Sequence, residues 1–514
     1  MPTLSINDRT VTVEPGASIL DAAKALGIHI PTLCHLEGHP PNASCMLCAV
    51  AVAGRSRLLA SCAAPAEEGM VVHTDTQDVR DNRRMVLELL LSHHTGDCEA
   101  PCTIACPAGL DIPHFLRALQ DGDIEAAAAL ATQTLVLPRT LGRVCPAPCE
   151  KVCRRSRHDG AVAIPALHLS AALWATATNP SVRPVARGQA IAVVGGGPAG
   201  LAASWHVLAA GYAVELFEAG STLGGKLREA IGPDKGGLEL LEADIATVCA
   251  AGLVVHHDAP IDGAEALADL RSRFAAVILT AGSAAVKTAW GLEAAEHGLA
   301  VVRGTGQTSE PGIFAAGNIV RDTRRMAVRA VASGHDAAIG VHAWLCSGGE
   351  AEPRKMINVS MGALREGEMA RLLETASPAP RCLEPNQREQ VTVDQAIAEA
   401  ARCLHCDCRA AQNCHLRDFA TEYGAKPSRW RDRRPPFEHD LSHPDIIYEP
   451  GKCIACGLCV QISERAAEVY GTTFLGRGIA VRVAPPLQET LANGLAECAL
   501  ACVEACPTGA LSRR

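Results

Sequence analysis

The period of the hydrophobic positions changes several times along the chain. Leu4/Ile6 and Val11/Val13 alternate with polar neighbours, as hairpin strands do, and the stretch from Ser18 to Gly27 reads as a short helix ended by glycine. Residues 1–80 are therefore expected to be short strands around one helix, and residues 81–185 to be mostly helical between cysteine-bearing loops. The segment 179–188, NPSVRPVARG, has the composition of a linker. From 186 to 345 the pattern becomes βαβ: the apolar run IAVV, a glycine turn, a helix, then AVELFEAG. Residues 346–440 are polar and in places rich in Pro and Arg (RWRDRRPP), an extended linker with one cysteine run, and 441–514 form a last small module. No fixed-period repeat is visible.

Composition narrows the class. A chain of 514 residues implies about three to five modules. With only five Trp, four Tyr and seven Phe against 48% hydrophobic residues, the cores must be aliphatic. The net charge of −9 gives no footprint for nucleic acid. The N-terminal stretch lacks the basic and apolar regions of a secretory signal, and no apolar run approaches a membrane span. The expectation is a soluble cytoplasmic protein.

Cysteine changes the picture most. Twenty-three cysteines fall into spaced clusters. Disulfide frameworks belong to short secreted domains, and close pairs such as Cys45/Cys48 and Cys453/Cys456/Cys459 suit metal chelation better than cross-linking. Iron–sulfur ligation is the expected use, so the chain should carry electrons.

Cys34-x10-Cys45-x2-Cys48-x13-Cys62 offers four thiolates, two on one loop and two on separate loops, which suits a [2Fe–2S] centre. From SILDAAKALGIHIPTLCH to LLASC the segment resembles the β-grasp ferredoxin that opens the large iron–sulfur subunit of respiratory complex I and related hydrogenase and formate dehydrogenase subunits. Met46 stands where that family usually has Arg.

Next come His94-x3-Cys98-x3-Cys102-x3-Cys106-Pro107 and Cys145-x3-Cys149-x3-Cys153. PCTIACPAGLDIPHFLRAL and GRVCPAPCEKVC resemble the N-terminal domain of the glutamate synthase small subunit and dihydropyrimidine dehydrogenase. That resemblance implies two interleaved [4Fe–4S] clusters, with Cys98, Cys102 and Cys153 in one and Cys106, Cys145 and Cys149 in the other. Six cysteines leave two positions open. His94, in a segment similar to complex I's His-x3-Cys ligand run, is the expected ligand for the first, with His93 its competitor; His168 falls within one residue of the family's eighth ligand.

Gly195-x-Gly197-Pro198-Ala199-Gly200 follows the strand IAVV and opens a helix, and Glu218 ends the next strand 18 residues after Gly200. This is a dinucleotide fingerprint, with the glycines admitting a pyrophosphate and the acid reaching a ribose hydroxyl. The fingerprint leaves flavin or nicotinamide open. STLGGKL, with Gly224 and Gly225, and GIFAAGN, with Gly317 and Asn318, resemble flavin-contacting segments of the same glutamate synthase family, which implies FAD; Asn318 stands where Asp is usual. In that family AVILTAGS (276–283) precedes a second, NADPH-holding Rossmann unit. Here 28 residues, 285–312, precede the next flavin segment, too few for such a unit.

Cys403-x2-Cys406-x-Cys408-x5-Cys414 supplies four local ligands for one [4Fe–4S] cluster, with structural zinc as the alternative. EAARCLHCDC resembles segments of elongated relatives of the flavoprotein family. Cys453-x2-Cys456-x2-Cys459, with Cys506-Pro507, reads as one half of a bacterial ferredoxin. YEPGKCIACGLCV to CPTGAL resembles the two-cluster ferredoxin of complex I's large subunit. Its second cluster is expected to be lost, because Ser463, Ala496 and Ala499 occupy ligand positions and only Cys502 and an off-register Cys498 remain.

The expected architecture is multidomain α/β plus α: a β-grasp [2Fe–2S] ferredoxin, a helical double-cluster domain, a Rossmann-like FAD domain without its nicotinamide insertion, and a C-terminal bacterial ferredoxin-like domain. The expected cofactors are FAD, one [2Fe–2S] and four [4Fe–4S] clusters. With no acid–base or nucleophile constellation, the chain reads as an electron-relay subunit of an oxidoreductase, with NAD-binding diaphorase-like and ferredoxin-, formate-, hydrogen- or 2-oxoacid-active partners. An electron-bifurcating flavin subunit and a scaffold with a vestigial flavin fold are the other two readings.

Overall fold

The computed structural model describes residues 1–175, 187–231, 237–281, 290–296, 298–320, 326–348, 356–385, 387–430 and 434–514. Apart from its last two positions, the linker expected at 179–188 lies outside them, as do parts of AVILTAGS, of the 285–312 stretch and of RWRDRRPP. The chain divides into two compact units, each built from separate stretches. One comprises Met1–Glu99, Lys355–Glu374 and His405–Arg514; the other comprises Ala100–Arg354 and Thr375–Leu404.

In the first unit, β1 (Thr3–Ile6) and β2 (Arg9–Thr12) form the expected hairpin, turned by Asn7 and Asp8 at positive φ. Short polar side chains tolerate that conformation. Ser18 and Asp21 form a reciprocal capping box on α1 (Ile19–Ala25), and Gly27 adopts a φ of +70° just past its end. With β3 (Ala49–Val52), β4 (Leu59–Ala60) and β5 (Val71–His73), the sheet runs β2-β1-β5-β3-β4, and β1 and β5 are its parallel pair. Leu4, Ile6, Ile19, Leu20, Val50 and Val72 close its core. Helix α2 (Gln77–Ser92), capped by Thr76, then leads to His94.

The second unit begins with α3 (Pro101–Ala105), α4 (Ile112–Gln120), α5 (Ile124–Leu135), α6 (Pro138–Val144), α7 (Pro148–Val152) and α8 (Ile164–Trp174). Helices α3, α6 and α7 each carry proline in the first turn, where no amide donor is lost, and each is followed by a cysteine. A parallel sheet follows. Its strands are β6 (Ala190–Val194), β7 (Ala213–Phe217), β8 (Val254–His256), β9 (Ala276–Leu279) and β12 (Ile313–Ala315), in the order β12-β9-β6-β7-β8. Between them lie α9 (Pro198–Ala209), α10 (Lys226–Ile231), α11 (Gly237–Ala250) and α12 (Gly263–Arg273), plus a ribbon of β10 (Ala294–Ala295) and β11 (Gly298–Leu299). The near-continuous apolar runs of β6 and β9 fit strands covered on both faces. Helix α13 (Ala327–Ser347) crosses α9 so closely that a Cβ on Gly334 would lie 2.2 Å from the Ala199 carbonyl oxygen.

Among its described residues, the stretch expected to be an extended linker contains three short helices and serves both units: α14 (Glu368–Leu373) and α16 (His415–Glu422) belong to the first, α15 (Val393–Ala400) to the second. In the first unit the chain ends with β13 (Ile446–Tyr448) paired antiparallel to β16 (Leu511–Arg513). Between them come α17 (Leu458–Arg465), the hairpin of β14 (Thr473–Leu475) and β15 (Arg482–Ala484), α18 (Leu491–Gly494) and α19 (Ala499–Ala505).

Candidate functional site

In the β-grasp portion the four thiols Cys34, Cys45, Cys48 and Cys62 are all buried. They meet as two pairs: the Cys45 amide lies 3.4 Å from Cys34 Sγ, and Cys48 Sγ lies 3.4 Å from Cys62 Sγ. Within each pair one thiol stabilises the other's thiolate, drawing Cys34 to about 5 and Cys48 to about 6 and pushing Cys45 and Cys62 up. Two sulfur pairs are what the two irons of a [2Fe–2S] centre require. Arg83, buried on α2, fastens the ligand loop by donating to the Leu47 carbonyl at 3.1 Å, while its other arm reaches the Tyr423 hydroxyl at 3.0 Å. Met46 sits in that loop at a φ of +53°.

In the second unit Cys106, Cys145, Cys149 and His168 line one cavity, otherwise walled by apolar side chains such as Leu110, Leu141 and Ile164. Burial pushes the three thiols up. Burial also lowers His168 to about 4, so the ring is neutral at physiological pH. Its Nδ1 lies 3.0 Å from the Pro138 carbonyl, which fixes Nδ1–H as donor and leaves Nε2 as the basic nitrogen. The donor set is the one expected for one of the two helical-region clusters. His168→Ala is accordingly expected to cost about four irons or convert that centre to a three-iron form, read by iron analysis and paramagnetic resonance. Unchanged iron and an unchanged spectrum would remove His168 from the ligand set.

A second group in the same unit is assembled by arginines. Arg155, two residues after Cys153, is fully buried; it donates from Nε and Nη2 to the two Asp159 oxygens at 2.7 Å each and also to the Arg402 carbonyl. Arg402, beside Cys403, donates to Glu399 Oε1 at 2.8 Å, Asp159 Oδ1 at 3.1 Å and the Ala379 carbonyl at 2.9 Å. This network ties the Cys153 turn to the Cys403 turn. Cys403 therefore belongs with the helical region, although the local spacing places it with Cys408 and Cys414.

Those two thiols lie elsewhere. Cys408 and Cys414 share a cavity of the first unit with His94 and Cys98, along with Leu91, Val359 and Arg417. Neither Cys403 nor Cys406 lines it. Within the first unit the structure thus brings His94 and Cys98 together with Cys408 and Cys414, ligands that the spacing assigns to two different sets. The chain passes between units at Glu99/Ala100, Arg354/Lys355, Glu374/Thr375 and Leu404/His405, which leaves both halves of this group in the first unit.

In the C-terminal portion Cys453, Cys459 and Cys506 pack against the core formed by Ile446, Leu491 and Leu511. Burial pushes Cys459 up to about 12 and raises Cys453 and Cys456 as well. Cys498 Sγ and Cys502 Sγ lie 3.9 Å apart beneath α19. Ser463, at the expected second crossing position, is consumed in structure: its hydroxyl accepts from the Thr472 amide at 3.0 Å and reaches the Val460 carbonyl at 3.0 Å.

The dinucleotide fingerprint folds into a cradle. Gly195 adopts a φ of +102° and Gly197 caps α9. A Cβ on Gly200 would stand 1.9 Å from the Gly195 carbonyl oxygen, whereas one on Gly197 would meet no protein atom within 4 Å. The open side of the turn therefore lies at Gly197, where a pyrophosphate would approach the helix N-terminus. Glu218, just past β7, accepts from the Gly196 amide at 2.6 Å and the Gly220 amide at 3.0 Å. Gly224 and Gly225 close over this turn: the Gly224 amide donates to the Gly196 carbonyl at 2.8 Å, and a Cβ on Gly225 would lie 3.2 Å from Gly197 Cα. From the other side, a Cβ on Gly317 would approach Ala199 Cβ at 2.9 Å, which brings Asn318 to the same helix end. The expected flavin segments thus converge, and the cradle fits a dinucleotide.

The matching domain families agree in outline. Residues 1–77 match the 2Fe-2S iron-sulfur cluster binding domain, residues 92–179 the dihydropyrimidine dehydrogenase domain II with its 4Fe-4S cluster, and residues 193–241 the NAD(P)-binding Rossmann-like domain. The chain is 30% identical over 249 residues to the NADPH-Fe(3+) oxidoreductase subunit beta of Geobacter sulfurreducens, covering 45% of this chain and 37% of that protein. It is 30% identical over 207 residues to the NADP(+)-dependent formate dehydrogenase subunit beta of Moorella thermoacetica, covering 36% and 29%. Over 103 residues it is 50% identical to the NADP-reducing hydrogenase subunit HndD of Solidesulfovibrio fructosivorans, covering 19% and 18%. The chain spans well under half the length of each relative. Among the described residues no helix is long and apolar enough to cross a membrane.

Arg83, Arg155 and Arg402 were not singled out by sequence reasoning. Arginine beside a cysteine motif carries no spacing signal of its own; only burial and the carbonyls it reaches reveal the role.

Proposed function

We propose that this chain is a flavo-iron–sulfur relay subunit of a multi-subunit oxidoreductase, moving electrons between a nicotinamide- or ferredoxin-linked partner and a catalytic partner. The observation that carries this reading is the coexistence, in one chain, of a closed glycine cradle and several separate buried thiol groups. The relatives support it, being subunits of an NADPH-Fe(3+) oxidoreductase, an NADP(+)-dependent formate dehydrogenase and an NADP-reducing hydrogenase.

FAD is the nucleotide we assign to the cradle. Gly195, Gly197, Pro198, Ala199 and Gly200 would hold its pyrophosphate, Glu218 a ribose hydroxyl, and Gly224, Gly225, Gly317 and Asn318 the remaining contacts. When bound, the flavin would exchange a two-electron reductant's pair for the single electrons that clusters carry. The chain's own residues bind and orient it and exclude water from the turn. Directly beside β9 in the sheet is β12, and the stretch joining them is too short for a second nucleotide-binding unit. NADPH chemistry is accordingly assigned to a partner subunit.

The purified chain should retain FAD, identified chromatographically after denaturation, and dithionite should bleach it, while NADPH at micromolar concentration should not reduce its flavin without a partner. Rapid reduction by NADPH alone would overturn the assignment of nicotinamide binding to a partner. A chain reconstituted with flavin and iron that holds no flavin would favour the scaffold reading.

A further inference from the structure

We propose that His94, Cys98, Cys408 and Cys414 hold one [4Fe–4S] cluster, so that four ligands separated by more than three hundred residues of chain make a single site. Neither the family matches nor the spacing of the cysteine runs assigns this set. Spacing favours Cys403, Cys406, Cys408 and Cys414 as one local group.

Three observations carry it. The four side chains line one cavity whose other walls are chiefly apolar, including Leu91, Ile357, Val359 and Leu416. Four soft or borderline donors with apolar surroundings form the kind of enclosure that thiolate-ligated iron requires. Backbone bonds fix the ligand turns against one another. The Cys408 amide donates to the Cys98 carbonyl at 3.3 Å, the Val359 amide approaches Cys98 Sγ at 3.4 Å, and the Leu416 amide donates to the Pro507 carbonyl at 3.1 Å beside Cys414 Sγ. An amide aimed at a sulfur is the usual partner of a cluster thiolate.

Charge is the third. Arg417 reaches the cavity wall, and Lys452 is fully buried nearby, its stem against Gly96 and the Cys408–Gly509 contact. Gly509 leaves room for Cys408 Sγ, which an added Cβ would meet at 2.2 Å. Three thiolates on a dicationic cluster leave the site net negative, and because Lys452 is also paired with Glu449 and Arg417 with Glu99, the ammonium and guanidinium offset that charge only in part. Meanwhile the arginine network keeps Cys403 with Cys153 in the other unit.

The consequence is topological. Cys98 is the last residue but one before the chain first leaves its unit, and Cys408 is the fourth after its final return, the stretch Lys355–Glu374 having returned before it. Both the helical region and the flavin cradle are therefore inserted between the second and third ligands of one cluster, and assembling that cluster pins the two ends of the insertion.

The test uses the full-length chain with iron analysis and paramagnetic resonance. Cys98→Ala and Cys414→Ala should each lose about four irons and the same resonance, and the double variant should lose no more than either single one. Loss of about eight irons in the double variant, with two different resonances removed singly, would overturn the proposal. His94→Cys guards against misfolding: it should keep its iron and shift the potential of the resonance that Cys414→Ala removes. A shift confined to a resonance that survives Cys414→Ala would also overturn it. Retention of the [2Fe–2S] signal shows that each variant has folded.

Discussion

Gly200→Val is expected to abolish flavin binding, and Gly197→Ala to weaken it more than tenfold without destabilising the protein. The two substitutions act on opposite sides of one turn. At Gly200 the added Cβ would stand 1.9 Å from the Gly195 carbonyl oxygen and 2.8 Å from Thr280 Oγ1, and the Thr280 hydroxyl itself supports that turn at 2.8 Å from the Val194 and Gly195 carbonyls. The first neighbour is backbone and the second a hydroxyl held by two carbonyls, so strand β6 and helix α9 must separate, at a cost of about 1–3 kcal/mol or more. At Gly197 the Cβ meets no protein atom within 4 Å, and the backbone φ of −75° suits any residue. Its only obstacle is the cofactor's pyrophosphate, and losing about 1.4 kcal/mol of that approach is a tenfold change in affinity. Flavin fluorescence after denaturation, set against thermal unfolding of the same samples, separates the two effects. Equal flavin retention in Gly197→Ala and the parent would contradict the placement of the phosphates.

Cys506→Ser is expected to remove about four irons from the full-length chain, and Cys498→Ser to remove none. Cys506 follows α19 and packs with Cys453 and Cys459 against one core. Cys498 caps the other end of that helix, and its Sγ lies 3.9 Å from that of Cys502. A second cluster would need more than that pair, and the position expected to cross to it is a serine committed to the Thr472 amide and the Val460 carbonyl. Iron content and the loss of one resonance in Cys506→Ser alone are the expected results. Loss of iron in both variants would mean that Cys498 or Cys502 is a ligand.

Local features were legible in the residues. The β1–β2 hairpin, helix α1 with its serine cap and terminal glycine, and the strand–glycine–helix turn at Gly195 all follow from short-range pattern, because each is decided by neighbours within a few positions. The grouping of ligands was not. His94-x3-Cys98 runs straight on to Cys102 and Cys106 at the same spacing, whereas its cavity partners Cys408 and Cys414 arrive after an excursion of more than three hundred residues, a distance over which spacing carries no information. A signal was nevertheless present: the N-terminal and C-terminal modules resemble the same complex I subunit, while the stretch between them resembles a different protein. Such a bracket is the mark of an insertion. The arginine anchors at Arg155 and Arg402 could not be foreseen, since a buried arginine reads as a surface one until the carbonyls it reaches are known.

The central claim is that one chain holds a two-electron carrier among several one-electron carriers. Its most direct test is coulometric reductive titration of the fully loaded, full-length chain, followed at flavin and cluster wavelengths. With one flavin, one [2Fe–2S] and four [4Fe–4S] centres, uptake of about seven electrons per chain is expected, with the flavin absorbance bleaching alongside the cluster bands. An uptake of about five electrons, with no flavin component, would contradict it.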